Sequence, residues 1–140
     1  KLYQLEKNRD IGYQDEHDAI TAFQLTSNNT GNTHTYYEII DGKSIGTRPD
    51  AISDQIMLEI KSKRGKKLAL HRTRQLRAQE AACKRQGLTH KIVITSKEEN
   101  PKKFPSISKN FKSSSSQIRL ITKDGFVYRH CLDRWIKVKA

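Results

Sequence analysis

The stretch from residue 56 to residue 95 leaves this chain few folds to choose from. Residues 56–62, Ile-Met-Leu-Glu-Ile-Lys-Ser, follow the two-residue period of a strand. Met57, Glu59 and Lys61 belong to one face, and Ile56, Leu58 and Ile60 to the other. Residues 72–86 then carry a helical pattern in which Leu76, Ala78, Ala81, Ala82 and Cys83 form a packing face of mostly small side chains. Gly87 stands just past that pattern, where a helix takes its C-cap. Residues 90–95, His-Lys-Ile-Val-Ile-Thr, read as a buried strand. A strand, a crossover helix and a second strand predict a βαβ unit with parallel strands.

The flanks extend this unit. Residues 13–25 predict a first helix, with Asp15, Glu16 and Asp18 crowding its opening turns, where the helix dipole favours acids. Residues 27–32 are loop-like. Residues 34–40 are β-rich, Asp41-Gly42 is a two-residue hairpin signal, and the next strand is expected over 43–52. Residues 97–116 carry Pro101, Pro105 and a serine run, and predict a surface loop. Ile118–Thr122 and Phe126–His130, on either side of Lys123-Asp124-Gly125, predict a C-terminal hairpin region over about 117–140, with Trp135 packing that end down. The expected fold class is mixed α/β: a central mixed sheet flanked by helices, with a C-terminal β-hairpin.

A chain of 140 residues suits one domain, taken here as 1–140 with a core over about 13–96. No apolar run approaches the ~20 residues of a membrane span. The chain starts at Lys1 with no signal-peptide pattern, as an excised fragment would. Cys83 and Cys131 form no CxxC pair, and the five histidines show no HxxxH or HxH spacing, so the expectation is two thiols and no zinc site. A membrane protein, a disulfide-scaffolded mini-protein, a collagen-like chain and a wholly disordered chain are excluded.

Charge narrows the function. The net charge is +12, which argues for a polyanionic partner. Residues 1–60 sum to −5 and residues 61–112 to +13. Acids therefore gather ahead of a basic segment, an arrangement that suits an enzyme holding a divalent metal and gripping phosphates. Within it, Pro49-Asp50 is followed after eight residues by Glu59-Ile60-Lys61. Glu59 and Lys61 leave the same strand face, and Asp50, near the end of an antiparallel neighbour, shares it. Two carboxylates and an ammonium thus converge. Phosphodiester hydrolysis uses such groups: oxygen ligands for Mg²⁺ or Mn²⁺, and a lysine to orient water and neutralise developing charge.

Pro49-Asp50 with Glu59-Ile60-Lys61, in this order of elements, resembles the PD-(D/E)XK nuclease superfamily over roughly residues 13–96. The resemblance implies a restriction-endonuclease-like core and a metal-dependent endonuclease. It also implies Asp50 and Glu59 as metal ligands, Lys61 as the catalytic lysine and Glu16 as an acid from the first helix, with Asp15 and Asp18 as rivals. It further implies a polar residue facing the site from the helix after the ExK strand, for which Gln75 and Gln79 fit. Lys63, Arg64, Lys66, Lys67, Arg72, Arg74 and Arg77 follow that strand directly and are expected to contact nucleic-acid phosphates.

In layout the chain is also similar to the small nuclease toxin domains of bacterial contact-dependent inhibition and polymorphic toxins. That likeness implies action in the cytoplasm of a target cell after delivery within a larger protein, and an acidic immunity protein as partner. DNA is the favoured substrate, with tRNA close behind, since the trio does not distinguish them. The alternatives are a non-catalytic basic nucleic-acid-binding module and a metal-free ribonuclease using His and Glu. The first lacks an aromatic stacking platform and the second a convincing His–acid pair.

Overall fold

The computed structural model describes residues 35–63 and 69–138. The first helix with Glu16, Asp15 and Asp18, and the cations Arg64, Lys66 and Lys67, lie outside the described residues, as does the side chain of Lys63.

The order of elements is β1 (Tyr36–Ile40), β2 (Lys43–Thr47), β3 (Ala51–Ile52), β4 (Ile56–Lys63), α1 (Arg74–Gln86), β5 (Thr89–Ser96), two 3₁₀ turns (Pro101–Lys103 and Lys109–Ser113), β6 (Gln117–Thr122), β7 (Val127–Cys131) and β8 (Arg134–Val138). β1 and β2 form an antiparallel pair about Asp41-Gly42, both at positive φ, as the hairpin signal predicts. The other six strands form one mixed sheet in the order β3-β4-β5-β6-β7-β8. β4, β5 and β6 are parallel, while β3, β7 and β8 join antiparallel. The mixed class, the βαβ unit and the C-terminal hairpin therefore stand.

Local chemistry sets these boundaries. Thr73 caps α1 by accepting from Leu76 N at 3.2 Å, and Gly87 at φ 70° closes its other end. The face of α1 with Leu76, Ala78, Gln79, Ala82 and Cys83 is buried, and the helix packs on β1, β2 and β5. Ion pairs tie helix to hairpin: Arg77 donates to both oxygens of Asp41 at 2.7 and 3.1 Å, and Arg85 Nε donates to Glu38 at 3.0 Å.

Three expectations need correction. The strand expected over 43–52 is two strands in two sheets, broken at Arg48-Pro49, because Pro49 has no N–H for a ladder. Residues 97–116 are not merely a surface loop: Phe104 and Phe111 are buried in one cluster with Leu70, Leu76, Ile92, Ile94, Ile118, Leu120 and Tyr128. Phe104 meets Tyr128 edge-on at 5.0 Å and Trp135 at 5.9 Å, and Trp135 Nε1 donates to Pro105 O at 3.2 Å. The C-terminal hairpin is larger than expected, because β8 adds a strand beyond β7 through Leu132-Asp133. Both cysteines are free thiols, Cys83 buried and Cys131 half-buried.

Candidate active site

β4 is buried on both faces at its centre, with Met57 and Leu58 fully enclosed, and this anchors Glu59 at a fixed height in the sheet. β3 pairs with β4 through Ala51–Leu58 and Ile52–Met57, and Asp50 N donates to Leu58 O at 3.0 Å. Continuing that register sets Asp50 opposite Glu59. Residues opposite one another on antiparallel strands share a face. Beyond β3 the edge of β4 exposes the Ile60 N–H, and Asp50 Oδ2 accepts from it at 2.8 Å. One backbone donor thus holds the Asp50 carboxylate beside Glu59. Lys61 is half-buried on the same face.

Glu59 is only 8% exposed. Its carboxyl pKa is pushed up to about 8, first by burial and then by its hydrogen bond and charge repulsion with Asp50; the Gln79 amide and the Lys61 charge pull the other way. Near neutral pH the pair therefore retains a proton unless a cation replaces it. The donor set fits a hard divalent ion: the facing groups are carboxylates, with no thiol or imidazole among them. Among the described residues no group of three or more His, Cys, Asp or Glu side chains is arranged to hold a metal ion.

The helix contributes Gln79, which is fully buried. Its Nε2 donates to Glu59 Oε2 at 2.7 Å and to Thr47 Oγ1 at 3.0 Å. Gln75, one turn earlier, is exposed. Of the two glutamines that fit the helix position, Gln79 is the one that touches the pair.

Behind Gln79 runs a buried polar chain that the sequence reading missed. Gln79 Oε1 faces His90 Nε2 at 2.7 Å, His90 Nδ1 faces Ser116 Oγ at 2.6 Å, and Ser116 Oγ is 3.0 Å from Glu80 Oε1. Ser114 also donates to Glu80, and Arg72 grips the Glu80 carboxylate with Nε at 3.0 and 3.1 Å and Nη2 at 2.6 Å. Burial would raise the Glu80 pKa, but it is held below its ordinary value chiefly by hydrogen bonds from Arg72 and Ser114. Burial pushes His90 down to about 4, so the ring is neutral at physiological pH. A signal was present: His90 falls on the same face of its strand as Ile92 and Ile94, a polar group in an apolar row.

The basic residues expected to clamp phosphate divide. Arg72 is committed to Glu80 and Arg77 to Asp41, while Arg74 is exposed on the first turn of α1. No family model matches this chain, and no curated protein or solved structure matches it.

Proposed function

We propose that this chain is a metal-dependent nuclease that hydrolyses phosphodiester bonds, with DNA the favoured substrate and tRNA next. One observation carries the reading: Asp50 and Glu59 oppose each other at a buried strand edge, with Lys61 on the same face. Two opposed carboxyl groups so placed must share a proton or a cation, and folding alone gives no reason to bring them together. They are explicable as a cation site.

Asp50 and Glu59 would hold Mg²⁺ or Mn²⁺, which supplies charge stabilisation at phosphoryl oxygens and lowers the pKa of water. Lys61 orients the attacking water and neutralises negative charge as it develops. Gln79 fixes one Glu59 oxygen and leaves the other free to turn toward Asp50. Arg74 and the cations of residues 63–67 contribute sequence-independent backbone contacts. The resemblance to nuclease toxin domains further suggests a toxin acting in the target cytoplasm, and the charge of +12 suits an acidic immunity partner.

Plasmid DNA and total tRNA incubated with the protein, with Mg²⁺ or with EDTA, test this directly. Metal-dependent cutting of either one, lost in Glu59→Gln, is the expected result. A folded protein that binds both and cuts neither would overturn the nuclease reading in favour of a basic binding module. Cutting that persists in EDTA would favour metal-free ribonuclease chemistry.

A further inference from the structure

The Gln79 carboxamide has two N–H groups, and both are committed, to Glu59 at 2.7 Å and Thr47 at 3.0 Å. Its carbonyl oxygen therefore faces His90 Nε2 at 2.7 Å, and that nitrogen must carry a proton. A neutral imidazole protonated there has a bare Nδ1, and the Ser116 hydroxyl is 2.6 Å away. Ser116 has one proton and two acceptors in reach, His90 Nδ1 and Glu80 Oε1 at 3.0 Å. Given to Glu80, that one proton would leave the bare Nδ1 facing an oxygen lone pair at 2.6 Å, so the Nε2–H tautomer assigns it to His90 and leaves Glu80 to Arg72 and Ser114.

Building on the nuclease reading, we propose that His90 is a positioning residue of the candidate site: its Nε2–H fixes the Gln79 carboxamide with the NH₂ group aimed at Glu59. A carboxamide turned end for end would set its carbonyl oxygen against the Glu59 carboxylate, and the two would repel whenever Glu59 is ionised to hold a cation. Nothing in Gln79 itself prevents that turn, because an amide is nearly symmetric in shape. The imidazole breaks the symmetry. Its neutrality follows from burial, with only 2% of the residue exposed. Its tautomer is completed by the Ser116 hydroxyl, which stands beside the Arg72–Glu80 pair. On this account Arg72 acts behind the site rather than on phosphate.

The test uses the full chain labelled with ¹⁵N. Long-range ¹H–¹⁵N correlation reads the His90 tautomer, and steady-state cleavage is measured for wild type, His90→Leu and His90→Gln. Leu fills similar volume without a donor, while the tip of Gln restores an N–H where Nε2 stands. The expected result is an Nε2–H tautomer, a kcat lowered roughly 10- to 100-fold in His90→Leu with KM unchanged, and recovery in His90→Gln. A proton on Nδ1 in the wild type, or wild-type kcat in folded His90→Leu, would overturn the proposal. Should His90→Leu fail to fold, Ser116→Ala replaces it: a shifted Nδ1 resonance and altered Gln79 side-chain amide signals are expected, and unchanged signals would overturn it. A wild type that cuts no nucleic acid would refute the nuclease reading alone, because the tautomer and the Gln79 signals decide the positioning without any activity.

Discussion

One face of the central sheet carries two different interiors. Beneath residues 101–113 it is apolar: Ile92, Ile94, Leu120 and Tyr128 meet Phe104 and Phe111. Beneath α1 the same face carries a polar row, Glu59, Gln79, His90 and Glu80, all buried, beside a small apolar cluster of Met57, Ala82 and Cys83. The first interior contributes through area removed from water, which is non-directional and forgiving of detail. The polar row contributes nothing unless every group is bonded, and among the described residues no buried side-chain N or O lacks a partner. A chain with modest apolar content would gain stability from a hydrocarbon lining at both places. A bonded polar chain ending at opposed carboxylates is what the proposed site would require and a core would not.

This contrast can be broken by mutation, and the two regions should fail in different ways. In the polar half, Lys61→Ala should lower cleavage by about 10²- to 10⁴-fold while leaving the thermal midpoint and nucleic-acid binding intact. Retained cleavage would remove Lys61 from the chemistry. In the apolar half, Leu120→Ala should cost about 2–5 kcal/mol in denaturant unfolding, with cleavage per folded molecule unchanged. Leu120 is fully buried in the larger cluster, so a small loss would mean that cluster is not the main source of stability.

Acid should reach the polar half through its histidine. The His90 pKa is about 4 in the fold, against 6.5 for a free imidazole. Between those values the unfolded chain binds a proton that the fold does not, so the contribution of His90 to stability falls as pH drops; Glu59, raised from 4.5 to about 8, contributes the opposite slope above 4.5. The slope approaches roughly 1.4 kcal/mol per pH unit for one such group. Glu80 on α1 opposes this by favouring the cation, while Gln79 and Ser116 are neutral partners. Replacing the histidine with leucine should remove its contribution, so that the variant gains stability relative to wild type as pH falls through that window. An unchanged profile would assign acid sensitivity elsewhere.

The smallest effect belongs to the outer hairpin. Leu132 and Asp133 both take positive φ, 51° and 62°, and Leu132 is 89% exposed. Asparagine tolerates that conformation better than leucine, so Leu132→Asn should stabilise by about 1 kcal/mol without touching activity. A lower unfolding midpoint would show that Leu132 contributes a contact worth more than its strain.

The same contrast explains what could be read from sequence. Strand alternation in residues 56–62 and 90–95, the Thr73 and Gly87 caps and the Asp41-Gly42 turn are local signals, and they identify β4, α1, β5 and the first hairpin. Asp50 facing Glu59 was legible because a strand register needs little more than alternation. Phe104 and Phe111 were misread because each is a single aromatic in a polar, proline-bearing stretch, and only tertiary packing shows that they close the core. The turn into β8 carries no glycine, so Leu132-Asp133 gave no hairpin signal. The Gln79–His90–Ser116–Glu80 chain joins residues from α1, β5 and the segment before β6, and no spacing within one element announces it. The assignment of Arg72 and Arg77 to phosphate followed from charge alone, which does not reveal that acids elsewhere in the chain already hold both.

The central claim is that Asp50 and Glu59 together hold a divalent cation. Titrating the wild-type protein with Mn²⁺ in a calorimeter, beside Asp50→Asn, addresses it most directly, because asparagine keeps an oxygen for the Ile60 N–H while removing the charge. The account predicts saturable binding to the wild type, accompanied by proton release near neutral pH, and loss of that binding in Asp50→Asn. Equal binding by both proteins, or none by either, would contradict it.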